Sequence, residues 1–369
     1  MRRLGCALLA LTVIAVGWLH GSAAAQAPAA QPGTATANDT ARFLAGLKPS
    51  EGSPLVALTS DPAWQAHAKS FDAQWLLLEQ RQLSKVRAFQ AKYLTEPQKT
   101  LFYMFSGPDF LYADAFFPKA TIYVLSGLEL IGPIPDPLKL RKGSLGQTLG
   151  HLKTSLRHIM GFSYFITLDM GKHLGQGQFR GTLPVLYVFL ARTGKTIRGV
   201  QHMRLDPDGT LSEISETETD RPRVVKITFA GSDGTEQTLY YFNTNLTNPG
   251  VAASGFLRFC EKLGTGDSFI KSASYLLHGG GFSSVRDFVL ANSMHVLQDD
   301  TGPPLNTYKA DKWTLQPFGR YTMPISEFHN RYQTSLKTLF DRGAPPPFDF
   351  SVGYRWRPGQ SNLLLATRK

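Results

Sequence analysis

Thr100 to Gly132 reads TLFYMFSGPDFLYADAFFPKATIYVLSGLELIG, and this stretch decides the fold class. Leu101-Phe102-Tyr103-Met104-Phe105 and Thr121-Ile122-Tyr123-Val124-Leu125 are short apolar runs, rich in aromatic and β-branched residues and closed by Ser-Gly. That is the pattern of strands buried on both faces. Between them Asp109 to Phe117 leaves room for a short helix stopped by Pro118, and a parallel crossover needs roughly a dozen residues. The spacing predicts two parallel strands joined by that helix. Ligands in open α/β sheets gather at the carboxyl ends of strands, so Ser106-Gly107-Pro108-Asp109 and Gly127-Leu128-Glu129 mark the expected site. Asp109 and Glu129 are its first candidates. The competing reading has Asp109 capping the short helix through its side-chain oxygen and Glu129 as a solvated loop charge.

Towards the amino end, Ser60-Asp61-Pro62 offers an N-cap with proline in the first turn. Trp64, Ala68, Phe71, Trp75 and Leu78, continuing at Val86, Phe89 and Tyr93, follow helical spacing, which predicts one long or two consecutive helices whose aromatic stripe packs inward. Earlier still, Met1-Arg2-Arg3, an apolar run from Leu4 to Leu19 and Ala23-Ala24-Ala25 have the form of a secretory signal peptide over residues 1–25. The Ala, Pro, Gln and Thr of 26–39 read as a disordered spacer, and a single domain is expected over 40–369. No later apolar run approaches the ~20 residues of a membrane-spanning helix. The expected location is exported, either periplasmic or secreted.

The formal charge of +11 falls to +9 when Arg2 and Arg3 leave with the expected signal, 37 basic residues against 28 acidic, and this charge draws an exported protein towards anionic envelope components or an envelope protein as partners. Nucleic acid is excluded as a partner because the basic residues are scattered and no aromatic-basic motif accompanies them. Without Cys6, lost with the signal, Cys260 stands alone, and its helical spacing beside Phe256 and Phe259 predicts a buried, inert thiol.

Towards the carboxyl end, Leu145, Leu149, Leu152, Leu156 and Ile159 share one helical face. Val185 to Leu190 is an apolar run that opens a strand-rich section. Ile197 to Leu205, Val224 to Phe229 and Thr238 to Phe242, joined by turns at Asp206-Pro207-Asp208-Gly209 and Gly231-Ser232-Asp233-Gly234, predict an antiparallel meander at about 196–246. Glu213, Glu216, Glu218 and Asp220 read as a solvated loop. The last third alternates again: helix Ala252 to Leu263, strand Ser268 to Leu277, helix Ser283 to Ala291, strand Met294 to Gln298, strand Leu315 to Tyr321, helix Ile325 to Phe340. Phe350 to Trp356 and Leu363 to Ala366 are expected to form a closing hairpin. This order predicts an α/β or α+β fold with a mixed, partly parallel sheet flanked by helices.

No catalytic motif is complete. His278-Gly279-Gly280-Gly281-Phe282 resembles an esterase oxyanion loop, but no G-x-S-x-G nucleophile elbow accompanies it. Gly194-Lys195-Thr196 lacks the upstream glycine of a phosphate loop, and Gly175 and Gly177 fail the dinucleotide fingerprint. His151, His158 and His173 lack the i, i+4 spacing of a helical metal pair, and Asp206 and Asp208 lack the further ligands of a calcium loop. No metal and no cofactor are expected. Asp299-Asp300 at a strand end, with Asp109 and Glu129, would supply an acidic cluster for acid-base work, because crowded carboxylates drive their pKa values apart. Tyr112, His278, Arg320 and Tyr321 are the candidate ligand-binding residues, and Tyr112, Tyr275 and Tyr321 the aromatics expected to be available at the surface.

The stretches SGPD of Ser106 to Asp109, YYFNTNL of Tyr240 to Leu246, SFIKSASYLLH of Ser268 to His278, LQDDTG of Leu297 to Gly302 and GYRWRPGQSNLLLA of Gly353 to Ala366 together resemble a family of exported bacterial proteins of uncharacterised function. The resemblance implies an envelope or secreted location and carries no activity. Two functions are therefore expected in order: an envelope ligand-binding or accessory protein, then a hydrolase-like enzyme built on Asp109, Glu129, Asp299 and Asp300.

Overall fold

The structure, a computed structural model, describes residues 34–162, 178–214, 223–355 and 357–369. The proposed signal peptide, residues 26–33 of the spacer, His173, Gly175, Gly177, Glu216, Glu218, Asp220 and Trp356 lie outside the described residues; the end of the expected disordered spacer is instead ordered, because Ala37 to Asp39 open a helix that the Thr36 side chain caps by accepting the Asp39 amide. Ten strands form one mixed sheet: β1 (Thr100–Tyr103), β2 (Ile122–Gly127), β3 (Thr196–Leu205), β4 (Leu211–Glu213), β5 (Val224–Ala230), β6 (Glu236–Asn243), β7 (Gly266–Ile270), β8 (Ser293–Gln298), β9 (Trp313–Gly319) and β10 (Asn362–Arg368). Their order is β4-β3-β5-β6-β2-β1-β7-β8-β10-β9. The five central strands from β6 to β8 run parallel, and both flanks are antiparallel. The expected α/β fold with a mixed sheet is the one adopted. The meander does not stand apart, because its last strand, β6, pairs in parallel with β2 and so widens the main sheet.

Alternation along the central strands divides the interior in two. On β1, Leu101 and Tyr103 join one core with the helices α1 (Ala37–Leu44), α2 (Pro62–Leu78), α3 (Ser84–Tyr93), α4 (Phe110–Phe116), α5 (Leu145–Phe162) and α6 (Leu183–Arg192). Phe102 and Met104 face the other core with α7 (Asn248–Ser254), α8 (Phe256–Lys262) and α9 (Ser283–Asn292). Helices thus cover both faces, as a parallel sheet requires. Cys260 lies buried in the second core and burial pushes its thiol well up, which agrees with an inert role.

Several boundaries differ from expectation for physical reasons. The Val185 to Leu190 run is α6, whose positions Leu183 to Ala191 are all buried, and a helix buried all round carries no period to distinguish it from a buried strand. Ala252 to Leu263 is split by Gly255, which adopts φ +72° between α7 and α8. Ile325 to Phe340 is a 3₁₀ segment followed by α10 (Thr334–Gly343). The closing hairpin does not form: β10 pairs with β8 and β9, and among the described residues 350–355 contributes only the bridge from Val352 to Arg355. Among the described residues no helix is long and apolar enough to cross a membrane.

Candidate functional site

β1 continues through α4 into β2 on one side, while its neighbour β7 continues through α9 into β8 on the other. Connections leaving adjacent parallel strands in opposite directions open a crevice at their carboxyl ends. A cavity of about 300 Å³ lies there, bounded by the ends of β1, β2, β6 and β7. Glu129 and Lys271 line it together with Ser272, Phe105 and Phe282. The expected loops at Ser106 to Gly107 and Gly127 to Glu129 are both in its wall.

Asp109 stands behind that wall, fully buried. Its Oδ1 accepts the Tyr112 amide at 3.0 Å, capping α4. Its Oδ2 accepts the Tyr103 hydroxyl at 2.9 Å and pairs with Lys271 Nζ at 2.8 Å. The Lys271 ammonium also lies 4.8 Å from the Tyr112 ring centre, a cation–π contact in a dry setting. Burial, then the Asp109 charge, drives the Tyr103 phenol well above its ordinary range, so it donates and stays neutral.

Asp299 and Asp300 follow β8, also buried. Asp299 accepts the amides of Ser272 at 2.8 Å and Thr301 at 2.9 Å. Its first bond anchors a turn that the sequence reading had extended as strand: β7 ends at Ile270, and Ser272, Ser274 and Tyr275 adopt φ of 53°, 49° and 55°. Left-handed backbone costs roughly 1–2 kcal/mol at a non-glycine residue, and three such residues within four positions persist only because the surroundings hold them. Gly353, at φ +64°, closes over Asp299 so tightly that a side chain there would collide with the carboxylate. Asp300 accepts the Tyr275 hydroxyl and Asn362 Nδ2, the latter at 3.0 Å. Burial and then the adjacent Asp300 charge push Asp299 up to about 7, and burial raises Asp300 as well. Ser272 is the residue sequence reasoning missed: its hydroxyl is buried without a hydrogen-bond partner among the described residues. The available signal was the run Ser272-Ala273-Ser274 directly after a strand.

Glu129 is not a solvated loop charge. It is 8% exposed, its carboxyl folds back over Gly127, and Oε2 accepts the Tyr241 hydroxyl at 3.1 Å. A methyl group at Gly127 would strike that carboxyl and lie 2.7 Å from the Tyr241 hydroxyl. Burial raises the Glu129 pKa, opposed only by hydrogen bonds from Tyr241 and the backbone. No charged side chain takes part.

Asp109, Asp299 and Asp300 thus converge on the Lys271 to Tyr275 turn from behind, and Glu129 alone of the four lines the crevice. Tyr112, Tyr275 and Tyr321 are buried, at 1%, 2% and 1% exposure, which corrects the expectation of surface aromatics. Their ring area is spent on packing: Tyr321 stacks on Tyr332 with centroids 5.8 Å apart. His278 Nε2 lies 3.0 Å from the Gly302 carbonyl, and burial holds its pKa down to about 4. Arg320 and Tyr321 line a different hollow, of about 670 Å³, beside Lys337. Among the described residues no three His, Cys, Asp or Glu side chains are grouped to hold a metal ion. Comparison with protein-family models, curated proteins and solved structures returned no match to this chain.

Proposed function

We propose that the chain is an exported, small-molecule-binding protein of the cell envelope whose ligand occupies the crevice between β1 and β7. One observation carries this reading: a preformed cavity at the sheet's switch point, with apolar walls at Phe105, Leu246, Leu276 and Phe282 and a few fixed polar groups. Such concave sites bind small ligands by burying apolar area and orienting them through a small number of polar contacts. The net positive charge and the signal-like first 25 residues support an envelope setting.

The hydrolase-like alternative is favoured by Asp299, whose carboxyl sits near neutrality, where acid-base exchange is efficient. Its oxygens are already committed to the Ser272 and Thr301 amides, so binding ranks first. A thermal-shift screen of residues 26–369 against metabolites and envelope fragments tests the binding reading. A ligand at about 100 times its Kd adds about 2.7 kcal/mol to stability. That shift is expected in the wild type and absent in Leu276→Trp, which fills the crevice mouth from a residue 37% exposed. Equal shifts in both proteins would place the ligand elsewhere.

A further inference from the structure

The polar groups of the crevice differ in how their charges are balanced. Lys271 is neutralised by Asp109 at 2.8 Å, so this buried pair presents no net charge to a ligand. Glu129 has no such counterpart. Its carboxyl is held by the Tyr241 hydroxyl and the backbone, and no cation balances it among the described residues. Burying a carboxylate without a counter-charge is costly, yet the fold keeps it there by leaving Gly127 without a side chain in the space the carboxyl fills. The same cavity is lined by Phe105 and Phe282, whose ring centroids lie 6.3 Å apart. A buried acid and neighbouring aromatic rings in an apolar hollow are what an alkylammonium ion needs: a counter-charge, cation–π faces and a dry wall for its carbon atoms.

We infer that the crevice binds an organic cation, a ligand with an ammonium head against Glu129 and the Phe105 and Phe282 rings, and a short alkyl body along Leu246 and Leu276. This rests on the crevice reading above and deepens it by naming the ligand class. An anionic ligand is disfavoured because the accessible charge of the wall is that of Glu129. A neutral ligand of the same shape would fill the hollow and leave the carboxylate uncompensated.

The test is isothermal titration of the protein with choline and butyltrimethylammonium, with the neutral choline isostere 3,3-dimethyl-1-butanol, and with hexanoate. The cations are expected to bind, and the neutral isostere to bind at least about tenfold more weakly, a difference of about 1.4 kcal/mol. Glu129→Gln keeps the side chain's shape and an acceptor for Tyr241, and should weaken the cations by about 30-fold or more, within the range for losing one partner of a buried charge pair. Phe282→Leu, in a half-buried side chain, should weaken them severalfold through the lost ring face, and serves if Glu129→Gln does not fold. Isostere or hexanoate binding as tightly as the cations, unchanged cation affinity in both variants, or no cation binding up to about 10 mM would each overturn the inference. Leu276→Trp separates the two levels. Neutral or anionic binding that it abolishes leaves the crevice standing and removes the cation, whereas binding that it does not touch removes both.

Discussion

Asp109 and Glu129 occupy equivalent places, each a few residues past the carboxyl end of a central parallel strand, and each is buried. Their surroundings differ in one respect. Asp109 receives an amide, a phenol and an ammonium; Glu129 receives a phenol and the backbone, with no cation among the described residues. The first is a closed account, a carboxylate used to fasten β1, α4 and the end of β7 together. The second is open on the side that faces the crevice. Burial alone therefore does not identify a functional acid. What separates the two is whether the protein itself supplies the counter-charge.

The sharpest way to break this comparison is to make Asp109 resemble Glu129. Lys271→Met removes the ammonium and leaves Asp109 buried beside an apolar chain. Breaking a buried ion pair by removing one partner costs roughly 3–5 kcal/mol, and urea denaturation should read a loss of that size. Glu129→Gln, which removes a charge that has no partner, should leave stability within about 1 kcal/mol of the wild type or raise it, because it ends an uncompensated burial. Equal losses from the two substitutions would mean that Glu129 is as fully balanced as Asp109.

The Asp299 and Asp300 pair offers a second contrast, visible through pH. Asp299 ionises in the native state near 7, above its ordinary 3.8, so the folded protein holds a proton that the unfolded chain releases. This contribution to stability is full below about pH 4 and is lost as pH rises towards 7. Measured against Asp299→Asn, wild-type stability should fall by up to about 1.4 kcal/mol per pH unit across that window and run level above it. A difference between the two proteins that does not change from pH 4 to 7 would show that Asp299 is ionised throughout.

The unit from β1 through α4 to β2 was legible because all its determinants are local: two apolar runs, Ser-Gly at each end and Pro118 after the helix. The capping role of Asp109 was legible for the same reason, since its acceptor contact reaches only three residues ahead. Its ion pair with Lys271 was not, because the two residues lie 162 positions apart and meet only through the β1 and β7 pairing. Burial of Glu129 likewise depends on Tyr241, 112 residues away. The turn after β7 was hidden for a subtler reason. Ser268 to Leu277 alternates well enough to pass for strand, and what bends it is the Asp299 carboxylate, 27 residues on, taking the Ser272 amide out of the ladder.

That turn yields the smallest effect and the finest probe of the wall. The Ser272 hydroxyl is buried without a partner among the described residues, and an unsatisfied buried polar group costs about 1–3 kcal/mol. Ser272→Ala deletes the hydroxyl while keeping a Cβ at the same φ of 53°, so the backbone strain stays and only the desolvation cost goes. The variant should be more stable than wild type by about 1 kcal/mol, read as a higher denaturation midpoint at unchanged m-value. Ser272→Gly relieves the left-handed strain as well, but gives back part of that gain through the freer unfolded chain, so it should fall close to Ser272→Ala. If Ser272→Ala is instead less stable, the hydroxyl has a partner in solution, and with its Oγ in the crevice wall that partner becomes the next group to identify.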